Sequence, residues 1–285
     1  MEIYKFAPYF ELMKIKFAYL LLAVALLTSC SDFNNVLKST DYEYRYEAGK
    51  SYFAEGEYQK ASTLLGDLVM VLKGTPNAQE CLFMLGMCHY YSNDFETAAQ
   101  YFNTYYKTYP KGDYTEMARF YSGKASYYES PDPRLDQTAT YTAINQLQEF
   151  LEFYPYSERR EEVNDMIFQL QDRLVQKEYE AAKLYYNLGS YVGNCFNGGS
   201  NYEACIITAE NALKTYPYTN LREDLFIMIL RSRYELAVHS VDEKSADRYR
   251  ETIDEYFGFK NEFPESKYMK EAEKIYADCS SKVKD

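Results

Sequence analysis

The chain has 285 residues, 47% of them apolar, so it is long enough and apolar enough to bury a core. Its formal net charge of −12 argues against nucleic-acid binding, which normally uses a basic surface. Only two histidines are present, His89 and His239, and six cysteines are too few for a disulfide framework at this length. We therefore expect no enzyme: no catalytic residues, no cofactor and no metal site.

The N-terminal segment has the features of an export signal. Lys14 and Lys16 precede an uninterrupted apolar run, 17–27, which is too short for a membrane span of about 20 residues. The run ends in Leu-Thr-Ser-Cys at positions 27–30, where small residues stand directly before a cysteine. This order of charge, apolar run, small residues and cysteine is typical of a signal peptide.

The Leu-Thr-Ser-Cys sequence resembles the lipobox of bacterial lipoproteins. The resemblance implies a signal peptide over 1–29, cleavage between Ser29 and Cys30, and acylation of Cys30. Residues 30–40 then form a lipidated linker, and Met13 is a better start than Met1 because it directly precedes the basic residues. In lipoproteins like those of enteric bacteria, a serine after the cysteine is compatible with transfer to the outer membrane.

A motif of an aromatic residue, a proline, any residue and a small residue occurs four times in the body of the chain. Its copies are Tyr109–Gly112, Tyr154–Ser157, Tyr216–Thr219 and Phe263–Ser266. Proline ends a helix, and the small residue can begin the next one. Small and large residues precede each proline at the spacing of the second helix of the tetratricopeptide repeat. We expect an all-α tetratricopeptide-repeat solenoid of about five helix pairs plus a C-terminal capping helix.

The predicted repeats fill one domain, 41–283. They cover 41–74, 77–112, 114–157, 177–219 and 222–266, and a closing helix follows over 267–283. A long helix joining the repeats is expected from Glu158 to Tyr186. Thr40 and Thr75 are predicted N-caps, since each stands directly before a helical pattern.

Two segments lengthen the repeat pattern, at 130–136 and 193–201. Inserts in a solenoid project from one face and often bind a partner, but neutral elongation is an equal alternative. Cys195 and Cys205 are placed to pair across the second insert. Most of the cysteines are otherwise expected to be small buried residues.

The most specific part of the sequence runs from Arg173 to Glu223. It contains Arg173–Gly189, Tyr202–Cys205, Ala212–Pro217 and Arg222–Glu223. Together with the lipobox and five repeats, this stretch resembles the BamD family, the lipoproteins of the outer-membrane β-barrel assembly machinery. The resemblance covers residues 27–283.

The resemblance implies a non-enzymatic scaffold on the periplasmic face of the outer membrane, held there by its lipid anchor. Proteins of this family bind BamA, the barrel-forming subunit, and are thought to receive the C-terminal strand of barrel precursors. Arg222 matches a family arginine implicated in the contact with BamA, and Glu223 follows it as a second candidate.

First-helix positions five, nine and twelve line the concave face of such repeats. The candidate groove residues are therefore Tyr46, Lys50, Phe53, Phe83, Met87, Tyr90, Phe120, Lys124 and Tyr127. This surface suits an extended peptide that ends in an aromatic residue, and Lys50 or Lys124 would meet the terminal carboxylate. Alternatively, these aromatic side chains only pack against the adjacent helix.

Three alternatives to the assembly scaffold are compatible with the repeats. A glycan-uptake lipoprotein of the SusD type also joins a lipobox to tetratricopeptide repeats, but such chains are much longer and this one has no tryptophan for sugar stacking. Another repeat scaffold would bind a different envelope partner. An envelope hydrolase would need a catalytic domain, and five repeats leave no room for one.

Overall fold

A computed structural model describes residues 33–191 and 200–283. The signal peptide, Cys30 and most of the insert at 193–201 lie outside the described residues. The chain divides into two compact units, Met1–Ala125 and Ser126–Asp285. The described residues form helices and connecting loops and contain no strand, so the predicted all-α class is confirmed.

Successive helices pack against each other in pairs, as predicted for tetratricopeptide repeats. A short helix over 33–37 is followed by α1 Tyr42–Ala54, α2 Tyr58–Val71, α3 Ala78–Tyr91, α4 Phe95–Thr108, α5 Thr115–Glu129, α6 Thr138–Phe153, α7 Arg160–Leu188, α8 Asn201–Thr215, α9 Arg222–Val238, α10 Asp242–Glu262 and α11 Met269–Lys282. The 29-residue α7 confirms the long joining helix. None of the described helices has the length and apolarity needed to cross a membrane.

In the first unit, glycines allow the paired helices to approach closely. A methyl group on Gly86 of α3 would lie only 2.7 Å from the ring of Phe102 of α4, which is fully buried. Gly49 of α1 packs in the same way against Leu65 of α2. Between the first two helices, Gly56 has a φ of +80°, a left-handed conformation that favours glycine.

Two helix starts differ from the prediction by one or two residues. The N-cap of α1 is Asp41 rather than Thr40, and its carboxylate accepts a hydrogen bond from the Tyr44 amide at 3.0 Å. Thr75 does not cap α3, because its hydroxyl donates to the Leu72 carbonyl at 2.7 Å and closes the preceding turn. Asn77 occupies the N-cap position of α3.

In the second unit, helices α7 to α10 pack in succession and α11 covers α9 and α10. The predicted insert at 130–136 is held in place by hydrogen bonds from Arg173 and Gln137. The Arg173 guanidinium of α7 donates to the Ser130 carbonyl at 2.7 Å, and buried Gln137 donates to the carbonyls of Asp132 and Leu135 at 2.8 and 3.1 Å. This insert is therefore a fixed part of the second unit.

Candidate partner-binding surfaces

Four of the predicted groove residues belong to the core. Tyr46, Phe83, Met87 and Phe120 are exposed by 7% or less, because neighbouring helices cover them. These positions are corrected from groove to core: the packing alternative applies to them. The ring of Phe83, for example, stacks on the ring of Tyr114 with centroids 4.7 Å apart.

Tyr46 has a specific structural partner instead of a ligand. Its hydroxyl donates to the Glu80 carboxylate at 2.5 Å, which joins α1 to α3. Burial and this carboxylate raise the pKa of Tyr46. Lys50 lies 3.4 Å from Glu47 and 3.8 Å from Glu80, so its ammonium group already has two carboxylate neighbours.

Two of the remaining groove candidates of the first unit, Phe53 and Tyr90, belong to an aromatic surface, which we call the aromatic platform. It consists of Phe53, Tyr58, Tyr90, Tyr91 and Tyr121. Tyr58 stacks on Tyr91 with ring centroids 4.9 Å apart, and Phe53 lies 5.6 Å from Tyr58. Tyr90 meets Tyr121 edge to face at 5.1 Å. All but Tyr91 are half-buried, and Tyr91 is 47% exposed.

Lys124 gives the platform a positive charge at its border. Its ammonium group lies 5.3 Å from the centroid of the Phe120 ring. Burial raises the pKa of Tyr91, as do Tyr121 and Tyr58, whereas the charge of Lys124 opposes the rise. Aromatic faces beside a cation can hold an apolar or aromatic side chain next to a carboxylate.

Tyr127 is the one groove candidate in the second unit. It is half-buried on the last turn of α5, and its hydroxyl donates to Gln169 of α7 at 2.5 Å. Its side chain therefore links two helices of that unit.

Arg222 stands at the first position of α9 and makes several contacts. Its guanidinium group pairs with Glu262 of α10 and donates to the Pro217 carbonyl at 3.1 Å. The guanidinium also lies 5.0 Å from the ring centroid of Phe226. The side chains of Arg222 and Glu262 are 31% and 34% exposed, so a partner can reach both. Glu223 is half-buried in the same first turn.

A cavity of about 190 Å³ lies beside the loop that leads into Arg222. It is lined by Phe168, Gln171, Asp172 and the five residues 215–219. Asp172 of α7 fixes this loop, because its carboxylate accepts from the Thr219 hydroxyl at 2.6 Å and from the Asn220 amide at 3.2 Å. Tyr218 is 86% exposed at the rim. We call Tyr218, Arg222, Phe226 and this cavity the α9 surface.

A second cavity, of about 270 Å³, lies between α7, α9 and α11 of the same unit. Four of its lining residues pair with one another: Arg231 donates to both Glu271 oxygens at 2.7 and 2.6 Å, and Tyr234 donates to Asp278 at 3.0 Å. The Arg231 hydrogen bonds lower the pKa of Glu271. Burial and the Asp278 carboxylate raise the pKa of Tyr234 to about 12.

Several residues of these surfaces were not predicted from the sequence, among them Tyr58, Tyr91, Tyr121, Asp172, Tyr218 and Phe226. Tyr58 is the first residue of α2, and Tyr91 is the last residue of α3. Both lie next to helix–helix turns, outside the first-helix positions used to predict the groove. Asp172 lies on the long joining helix, 47 residues from Thr219 in the chain, and no local pattern predicts that contact. Cys205, considered for pairing with Cys195, is a buried free thiol, and Cys195 lies outside the described residues.

The described helices define a helical-repeat protein that carries two candidate surfaces, the aromatic platform and the α9 surface. Residues 39–229 match the family model described as YfiO, outer membrane lipoprotein, which is the BamD family. The match covers most of the chain, from just before α1 into α9, so the chain belongs to this family of envelope lipoproteins, whose members are non-enzymatic. A comparison with curated protein sequences finds no match.

Proposed function

We propose that this protein is a lipid-anchored periplasmic scaffold of the β-barrel assembly machinery. It binds a BamA-type barrel subunit and helps deliver outer-membrane protein precursors for folding and insertion. The observation that carries the proposal is the family match over 39–229, which includes both the aromatic platform and the α9 surface. The lipid anchor is Cys30, which follows the signal peptide.

The α9 surface is the proposed docking site for the barrel subunit. Arginine and aromatic side chains dominate the energetics of protein interfaces. Here the exposed Tyr218 lines the cavity, and Arg222 donates to the carbonyl of Pro217 in the same cavity wall. Phe226 lies beside the Arg222 guanidinium. The loop is held by Asp172 before any partner binds, which lowers the entropy cost of association.

Co-purification tests this docking site. We would tag the C-terminus, solubilise outer membranes gently and identify the proteins recovered with the native chain and with Arg222→Glu. The charge reversal places a carboxylate beside Glu262, so recovery of a BamA-type barrel is expected to fall. The matched control is Arg250→Glu, since Arg250 is a surface arginine of the same unit, paired with Asp247 at 2.8 Å. Stoichiometric recovery of a nutrient-uptake barrel instead would favour the SusD-type alternative.

The aromatic platform is the proposed receiving site for the C-terminal strand of a precursor. Tyr91 and Tyr58 offer ring faces for a terminal aromatic residue, and Lys124 at the border offers a charge for the terminal carboxylate. Because four of the nine predicted groove residues are core residues, the platform replaces the predicted groove as the candidate surface.

A peptide titration tests the platform. A synthetic peptide that ends in phenylalanine with a free carboxylate is expected to bind, and the amidated peptide is expected to bind about tenfold more weakly, because a charge-assisted hydrogen bond contributes about 1.5 kcal/mol. Tyr91→Ala should weaken binding of both peptides. Tyr44→Ala, a substitution of a comparably exposed tyrosine of the same unit, should leave binding unchanged. Equal affinity of both peptides for the native protein would exclude recognition of the carboxylate.

A further inference from the structure

The chain is held against the first unit from its first described residue. Residues 33–37 are helical, the Val36 side chain is buried, and the Ser39 amide donates to the Val36 carbonyl at 3.1 Å. The ring of Phe33 meets the ring of Tyr52 edge to face, with centroids 5.7 Å apart. An aromatic pair of this kind contributes about 0.5–1.5 kcal/mol beyond its buried area.

The contact between Phe33 and Tyr52 places residue 33 at the C-terminal end of α1. Tyr52 lies in the last turn of α1, next to the turn that leads into α2. The ammonium group of Lys60 in α2 lies 5.4 Å from the centroid of the same ring. Phe33 is therefore next to the α1–α2 turn, residues 52–60, whereas the chain enters α1 at its other end, at Tyr42.

The distance between this turn and the lipid anchor is limited by chain length. This limit depends on the proposed acylation of Cys30, because only Ser31 and Asp32 separate that cysteine from Phe33. Three residues, fully extended, span at most about 11 Å. The acyl chains place Cys30 at the bilayer surface. A tether this short holds Phe33, and with it the α1–α2 turn, close to the headgroups.

We propose that the α1–α2 turn is a membrane-contact surface and that its partner is the lipid bilayer. Tyr52 and Lys60 suit this position, because tyrosine rings and lysine ammonium groups both favour the membrane–water interface. The formal charge of the chain is −12, so the covalent tether rather than charge attraction maintains the contact. Phe53 and Tyr58 belong both to this turn and to the aromatic platform, so the platform receives its ligand beside the membrane.

A single-tryptophan reporter tests this contact, since the chain contains no tryptophan. The full-length acylated protein carrying Glu55→Trp is reconstituted into vesicles that contain brominated lipids, which quench tryptophan on contact. Glu55 is exposed in the turn, so the substitution is expected to change stability by less than about 0.5 kcal/mol. The control is Tyr42→Trp, about 20 Å away along α1.

Loss of fluorescence is expected for Glu55→Trp, with a much smaller loss for Tyr42→Trp. Inserting 20 glycine and serine residues between Asp32 and Phe33 gives a tether of about 25 Å and should restore the fluorescence of Glu55→Trp. Equal quenching of the two reporters, or quenching of Glu55→Trp that the longer tether leaves unchanged, would overturn the proposal. Mass spectrometry of the N-terminal peptide distinguishes failure of the membrane contact from failure of the lipid anchor. An acylated Cys30 without quenching overturns only the membrane contact. A Cys30 without acyl chains overturns the lipid anchor as well.

Discussion

Replacing Gly86 by alanine tests the close packing of α3 against α4, on which the repeat architecture of the first unit depends. The new methyl group would lie 2.7 Å from Cε1 and 2.9 Å from Cδ1 of the Phe102 ring. That ring is fully buried, with Phe83 and Tyr121 each 5.6 Å away between centroids, so it cannot swing aside without displacing them. Overpacking of a core typically costs about 1–3 kcal/mol.

Gly66→Ala is the matched control for this substitution. Gly66 also lies inside a helix, α2, but apart from its chain neighbours and the backbone of its own helix no atom lies within 4 Å of an added methyl group. Alanine is favoured over glycine in a helix by about 1 kcal/mol, so this variant should be more stable than the native protein. The helix-propensity gain is common to both variants. Their difference, about 1–3 kcal/mol, therefore measures the contact with Phe102.

Urea denaturation followed by far-ultraviolet circular dichroism provides the comparison. We expect Gly66→Ala to raise the urea midpoint above that of the native protein. The free energy of unfolding of Gly86→Ala should be lower than that of Gly66→Ala by the full overpacking cost, about 1–3 kcal/mol. If both variants shifted the midpoint upward by the same amount, Phe102 would not be packed against Gly86, and the pairing of α3 with α4 would be refuted.

Two further predictions concern the second unit. Arg233 donates to Glu255 at 2.9 Å and to Glu210 at 2.7 Å, and burial raises the pKa of Glu255 while Arg233 opposes the rise. Arg233→Ala should therefore cost about 1.5–3 kcal/mol at pH 7, as measured by urea denaturation. Without Arg233, the buried Glu255 carboxylate is left without its opposing charge, and a group with a raised folded-state pKa loses stability as the pH rises through that pKa. The loss of stability caused by Arg233→Ala should therefore shrink towards pH 4.5, where Glu255 becomes protonated. A loss of stability that is independent of pH would contradict this. Asp172→Ala removes the acceptor for Thr219 and should speed hydrogen exchange in the loop before α9 while leaving exchange in the other helices unchanged.

The helix-pair pattern was predictable because its determinants are local. Proline after Tyr109, Tyr154 and Tyr216 cannot continue a helix interior, and the described helices α4, α6 and α8 each end at the residue before those tyrosines. The helix starts were less predictable, since Thr40 and Asp41 are adjacent good caps and only the backbone geometry decides between them.

The binding surface was predicted less well than the fold, because tyrosine side chains occur both in buried cores and at interfaces. Tyr46 and Phe83 occupy the repeat positions expected to face a ligand, yet neighbouring helices cover them. Tyr91 lies one residue beyond the pattern and is the most exposed ring of the platform. Burial by another repeat depends on how far adjacent helices slide past each other, which the period of one repeat does not specify.

The contact between the α9 surface and a barrel subunit is the central claim, and site-specific photo-crosslinking tests it most directly. A photoreactive phenylalanine analogue would replace Tyr218, which is 86% exposed beside Arg222, in cells that express the otherwise native chain. The same analogue at Tyr156, which is 97% exposed, serves as the control position. We predict an adduct between position 218 and a BamA-type barrel subunit that is absent from position 156. Crosslinking of position 218 to a different barrel, or to no barrel while Cys30 is acylated, would contradict the proposed function.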